Sequence, residues 1–349
     1  MIAALVAIGA LPAGCDSGGT YMPIHFPDEG TESDAAETTG PDADADAPDA
    51  LEPDAVEASP DVFEPDAPDG VETDGSAEED GAGPPPPLAE LDDLRLYVNI
   101  GDSLAAGYNA SGRNGSGGHG YARLMLDNHP DYPAYDGQFL RALYPDVRFV
   151  DVSESGATSS DALSNLRSAL SGDLPASVDG DVLVSLTCGG NDFNDDVMTI
   201  ILRTATDAAA ARLQANDREM FRLLRERYED PAAGHAVVFL VTNVHDPTGG
   251  TGAIPAGFSD GFCATINDPR LVPLRSVAIA NLGAYNDAIA AVTAELGGFL
   301  VDNHGVFLDH GMNAPGAERW LSDDCVHPTN EGHHQLRREE WFVLTGERF

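Results

Sequence analysis

The chain contains no lysine. All 18 of its basic residues are arginines, none precedes Arg95, and they face 59 Asp and Glu across 349 residues. The resulting net charge of −41 excludes nucleic acid and anionic lipid surfaces as electrostatic partners, because both repel such a chain. Cysteine is scarce as well: there are four, at positions 15, 188, 263 and 325. No two of them have metal-ligand spacing and no histidines stand four residues apart, so a zinc site is not expected, nor any other metal or cofactor. No apolar run is long enough to span a bilayer.

Large apolar residues are also nearly absent from one long stretch. Between Asp16 and Asp93 the sequence is mostly Asp, Glu, Ala, Pro, Gly, Ser and Thr, and it holds 25 of the acidic residues. Such a segment cannot bury enough surface to offset its ordering entropy. Residues 15–93 are therefore expected to form an extended, disordered tether of "PDA" repeats ending in "GPPPP". The Asp repeats lack the Gly turn and closing Glu of a calcium loop. Residues 1–14 differ again: "IAALVAIGAL" has the length of a signal-peptide apolar region. It runs into "LPAGC", which resembles a bacterial lipobox, with Cys15 as the lipidated residue. Pro12 stands where that motif carries Leu, and no basic residue precedes the run, so the natural start is expected upstream. The protein is expected in the cell envelope as a lipoprotein, or secreted if Cys15 is unmodified. A lipid anchor would be its only membrane contact.

Outside the cytoplasm one disulfide can form among the three remaining cysteines. Cys263 and Cys325 both lie in loop-like sequence, whereas Cys188 ends a strand, so Cys263–Cys325 is the expected pair.

Residues 94–349 are long enough for one α/β domain, expected as a monomer. Apolar strand-like runs ("LRLYVNI", "VRFVDVS", "DVLVSLTC", "HAVVFLVTNV", "GGFLVDN") alternate with helical patterns. In one of these helices Leu213, Met220, Leu223 and Leu224 recur at helical spacing, as core residues do. The alternation implies a mainly parallel five-stranded sheet covered on both faces, with chemistry at the strands' carboxyl ends.

Three motifs fall at such ends and a fourth lies before the last helix. "IGDSL" supplies Ser103 where strand one hands over to a helix; "VSESGATSSD" supplies Gly156; "TCGGND" supplies Asn191; "DDCVHPT" supplies Asp324 and His327. In this order they resemble the GDSL, or SGNH, family of serine esterases and lipases, over about residues 94–349. The resemblance implies a three-layer α/β/α flavodoxin-like fold. It also implies Ser103 as nucleophile, His327 as base, Asp324 as its partner, and Gly156 and Asn191 as oxyanion donors beside the Ser103 backbone N–H. The chemistry agrees with these residue types. A serine hydroxyl needs a base, a carboxylate fixes the imidazole tautomer, and preset amide donors stabilise the developing oxyanion.

The expected function is hydrolysis of carboxylic esters, of lipids or acetylated carbohydrates, through an acyl-Ser103 intermediate. An acyltransferase or deacetylase acting on envelope polysaccharide and a non-enzymatic tethered adhesin are the alternatives. Asp102 is expected as a turn residue, Asp192 as a loop support, His119 as a solvated loop residue, and His333 and His334 on an exposed helix face. "GFSDG", Gly257 to Gly261, matches a nucleophile elbow around Ser259, but it lacks the strand before and helix after that an elbow requires.

Overall fold

A computed structural model describes residues 87–110, 118–195, 206–258 and 261–348. The expected signal segment, Cys15, the expected tether up to residue 86 and Ser259 lie outside the described residues. Five strands form one sheet: β1 (Leu94–Gly101), β2 (Arg148–Asp151), β3 (Asp181–Thr187), β4 (Val237–Thr242) and β5 (Phe299–Val301). Every pairing is parallel and the order is β2-β1-β3-β4-β5. This is the flavodoxin-like order, whose direction reverses between β1 and β3, opening a crevice at their carboxyl ends.

Side-chain alternation divides the central strands between two cores. Leu96, Val98, Ile100, Val182, Val184 and Leu186 face one side. There they meet α2 (Ser159–Ser171), α4 (Thr206–Tyr228) and α6 (Arg275–Glu295). Leu213, Met220 and Leu224 are fully buried in this core, while Leu223 packs at its edge. Leu94, Tyr97, Leu183, Val238 and Leu240 face the other side. There the cover is α1 (Tyr121–Leu126) and α7 (Asn330–Thr345), through residues such as Met125, Leu336 and Leu344. Burying each such Leu contributes roughly 1.5–3 kcal/mol. Among the described residues no helix is long and apolar enough to cross a membrane.

Helix ends are encoded locally. Thr158 and Asp161 form a capping box at the start of α2, each side chain accepting the other's backbone N–H. Thr329 caps α7 through Gly332 N–H, and Gly346, at φ 76°, closes that helix. Such caps contribute about 1 kcal/mol each.

The folded body starts earlier than residue 94. Pro87–Glu90 form a 3-10 helix, Leu91 is buried in the second core, and Leu88 packs against it. Tyr144 donates its hydroxyl to the Leu91 carbonyl at 2.6 Å, and Asp93 N–H donates to Asp181 at 2.9 Å. Two leucines anchor a segment whose acidic composition otherwise masks them.

The second core also holds a carboxyl group. Glu340 of α7 is buried and accepts a hydrogen bond from Ser185 Oγ of β3. Burial pushes its pKa up to about 8. Between the usual carboxylate pKa and about 8 the folded state holds a proton that the unfolded chain has lost, so stability falls as pH rises through that window. Glu340→Gln should remove this slope, approaching ~1.4 kcal/mol per pH unit. Urea unfolding at pH 5 and pH 8 should show the variant gaining on the parent only at the higher pH; equal gains at both would disprove it.

Candidate active site

The site begins where β1 abuts β3. Gly101 has φ +146°, and a Cβ there would lie 1.9 Å from the Thr187 carbonyl oxygen. Only glycine fits this close approach. Asp102 N–H then donates to the Thr187 carbonyl at 3.0 Å, and Asp102 Oδ1 accepts Leu104 N–H at 2.9 Å. Asp102 thus acts as the expected turn residue; burial pushes its carboxyl up to about 6.

The helix expected after Ser103 does not form. Residues 103–109 make successive turns instead, with Gly107 and Asn109 at φ 68° and 65°. These left-handed positions break the helical path. The turns carry Tyr108 over the imidazole of His327, with ring centroids 4.3 Å apart.

His327 arrives from the loop ahead of α7. Ser322 N–H donates to the His327 carbonyl at 2.8 Å, so the loop closes on itself. Inside it, Asp324 Oδ1 accepts from Ser322 Oγ and the backbone N–H groups of Val326 and His327 at 2.7–3.0 Å. Asp324 Oδ2 accepts from His327 Nδ1 at 2.8 Å and Asn109 Nδ2 at 2.7 Å. Burial alone would raise this carboxyl, but the hydrogen bonds and charge interaction of His327 outweigh it and hold the group far below the usual range. On the other side of the ring, His327 Nε2 lies 2.8 Å from Ser103 Oγ. With Nδ1–H given to Asp324, Nε2 is the acceptor of the serine proton. Ser103, Asp324 and His327 are therefore one hydrogen-bonded chain.

Asn191 opens α3 (Gly190–Asp195) after β3 and shares a cleft with Ser103. Its Nδ2 donates to the Ala157 carbonyl at 2.9 Å, which fixes the amide and leaves its second hydrogen for another acceptor. Asp192 supports the neighbouring turn: it is buried and accepts from Ser159 N–H at 2.7 Å and Ser159 Oγ at 2.6 Å. Gly156, at φ 87°, immediately precedes Ala157, whose carbonyl Asn191 binds.

Cys263 is joined to Cys325, which sits between Asp324 and Val326, and Cys188 is free and buried.

Several supporting residues carry no local signal in the sequence. Asn109 reaches Asp324 across 215 positions. His245 binds the Val326 carbonyl through Nε2 at 2.8 Å, and burial pushes its pKa down to about 4. A neutral ring with its proton on Nε2 fits that contact. His333 and His334 are buried rather than exposed. His333 Nε2 lies 3.1 Å from the Tyr108 carbonyl and props the turn after Ser103; His334 stacks on Tyr132 at 3.9 Å. His119 is likewise buried, not solvated, with Nε2 2.8 Å from Asp131 and its ring 3.7 Å from that of His129. These three residues are the one set with metal-ligand proximity among the described residues, and they do not line the Ser103 cleft.

The model of the GDSL-like lipase/acylhydrolase family matches residues 100–335. Among solved structures, an extracellular lipase from Streptomyces rimosus is 22% identical, covering 72% of this chain and 99% of its own, at a TM-score of 0.44. An acetylxylan esterase from Geobacillus stearothermophilus is 18% identical, covering 74% and 96%, also at 0.44. A phospholipase A1 from Streptomyces albidoflavus is 22% identical, covering 72% and 99%, again at 0.44. No curated protein matches the chain.

Because the Asp324 pKa is depressed, its stabilising effect is present above the unfolded carboxylate pKa and is lost as pH falls. Asp324→Asn should destabilise the fold at pH 7 by about 1–3 kcal/mol, the scale of charge-assisted hydrogen bonds. The gap to the parent should narrow below about pH 4. Urea midpoints at pH 7, 4 and 3 measure it, and a constant gap would refute it.

Proposed function

From a chain that belongs to the GDSL-like lipase/acylhydrolase family, and is therefore a carboxylic ester hydrolase, we propose a two-step mechanism through an acyl-Ser103 intermediate. The observation that carries this reading is the 2.8 Å contact between His327 Nε2 and Ser103 Oγ, backed by the equal contact from His327 Nδ1 to Asp324. As Ser103 Oγ bonds to the ester carbonyl carbon, its proton passes to Nε2. Asp324 steadies the imidazolium without taking the proton. The tetrahedral intermediate then collapses, and the departing alkoxide takes the proton from Nε2. Water repeats the sequence on the acyl enzyme, with Nε2 again the base, and releases the acid.

The oxyanion needs donors set in place before the reaction. We assign this role to the Ser103 N–H, the second amide hydrogen of Asn191 and, closing from beside it, the Gly156 N–H. Among the described residues nothing accepts from the Ser103 N–H. The Ala157 carbonyl supports the Asn191 assignment, because it holds that amide in a single orientation.

The same proposal makes residues 1–14 an export signal, Cys15 a lipid attachment point, and the acidic run up to the folded body a tether. The enzyme then works outside the cytoplasm, on small ester substrates within reach of the surface that holds it.

A fluorophosphonate probe should label the protein, and Ser103→Ala should abolish both labelling and ester hydrolysis. Labelling that survives in Ser103→Ala and disappears in Ser259→Ala would overturn the assignment. Asn191→Ala should lower kcat by about 10²- to 10³-fold with little change in KM, as expected for a donor used only in the transition state. An unchanged kcat would remove Asn191 from the oxyanion site.

A further inference from the structure

The Ser103 cleft does not end at the residues that perform the chemistry. Four of its lining residues, Phe193, Pro247, Phe262 and Leu282, also line a second cavity of about 120 Å³. That cavity runs between α5 (Gly261–Ile266), the Val272–Leu274 turn and α6. Ile266, Leu271, Leu274, Ala278 and Ile279 form its deeper wall.

Its polar groups contribute almost nothing to its surface. Asp246 accepts from Thr248 N–H, Thr248 Oγ1 and Gly250 N–H at 2.7–3.0 Å. Arg275 gives Nη2 to the Ile266 carbonyl at 3.3 Å, and its Nε is sealed from solvent, hence from the cavity. The Arg275 stem closes over Gly252, where a Cβ would lie 2.9 Å from Arg275 Cβ. Nothing here matches the hydroxyl groups of a sugar. An apolar chain would fit without covering an exposed polar group.

The cavity is also held in register with the base. Cys263 follows Phe262 on α5 and is cross-linked to Cys325, two residues before His327. The neck between the cavities and the imidazole therefore move together.

We propose that the second cavity receives the acyl chain of the substrate, so that the enzyme acts on fatty acyl esters in preference to acetyl esters. This rests on Ser103 being the nucleophile. The cavity approaches the ~150 Å³ apolar cavity that admits benzene, so a chain of roughly six carbons fits, the first carbons lying in the Ser103 cleft. Each buried methylene is worth roughly fourfold in kcat/KM, and four of them on the order of a hundredfold.

The test uses the full chain with nitrophenyl acetate, hexanoate and decanoate, and separately with ethyl and octyl acetate. The parent should favour hexanoate over acetate by tenfold or more. Ile279→Trp, which fills the deeper cavity, should cut that ratio at least tenfold and leave the octyl-to-ethyl acetate ratio unchanged. A parent with no chain-length preference overturns the proposal. So does an unaltered hexanoate ratio in a folded Ile279→Trp protein. A loss confined to octyl acetate also overturns it, because the cavity would then hold the alcohol. If Ile279→Trp loses its thermal unfolding transition, Leu271→Ala replaces it: widening the cavity should shift preference from hexanoate towards decanoate, and no shift refutes the idea. A protein that hydrolyses none of these esters and takes no fluorophosphonate label would instead sink the Ser103 nucleophile itself. A labelled, active protein with a flat profile sinks only the acyl cavity.

Discussion

Asp324 collects five hydrogen bonds from two separate stretches of chain, and the geometry of the site depends on that carboxylate. Three of the donors belong to its own loop, so the carboxylate first folds the loop that carries it. A fourth is the imidazole it must orient. The fifth, Asn109, belongs to the turn that follows Ser103. One ionised group thus ties the turn after Ser103 to the loop that carries His327. A carboxylate is suited to this because its two oxygens accept about four to five bonds at once, and because charge-assisted bonds are roughly twice as strong as neutral ones. An amide in its place would turn one acceptor into a donor and face Asn109 or His327 with the wrong sign.

The sheet supplies the other half of the geometry. Parallel order β2-β1-β3 puts the ends of β1 and β3 side by side, and the glycine at the end of β1 lets the backbones touch. Ser103 and Asn191, 88 positions apart in sequence, reach one cleft because each lies just beyond its strand. His327 comes from outside the sheet and has no strand to place it. It needs the loop's internal bonds, the His245 contact to the Val326 carbonyl, and the packing of Tyr108 against its ring. Neutral, buried His245 and His333 serve as fixed hydrogen-bonding struts in this arrangement, their pKa values pushed down by burial so that neither competes for the proton.

Strand ends were legible in the sequence because a parallel α/β chain writes each strand as a continuous apolar run and resumes small polar residues where it stops. That regularity put the motifs holding Ser103, Gly156 and Asn191 at strand ends, and the family resemblance singled out these residues together with Asp324 and His327. What stayed hidden depends on contacts between distant segments. Asn109 looks like any turn residue until Asp324 comes within 2.7 Å of it. His333 and His334 read as an exposed polar pair on α7, yet residues 119–135 cover that face, and Tyr132 and Tyr135 pack on His334. The helix expected after Ser103 gives way to turns because Gly107 and Asn109 take left-handed angles that its bond to Asp324 and the strut from His333 stabilise. Leu88 and Leu91 were masked by the acidic residues around them.

The link between Cys263 and Cys325 closes a loop of 62 positions, a constraint on the unfolded chain on the order of 4 kcal/mol. Its position matters more than its energy. One sulfur is bonded into the three-residue step from Asp324 to His327, so the same covalent event that stabilises the fold also anchors the loop holding both residues. A chain still in its thiol form would have every residue of the triad and lack the tether that holds them to their neighbours. Reducing that one bond would therefore loosen the loop that carries His327 together with the fold around it.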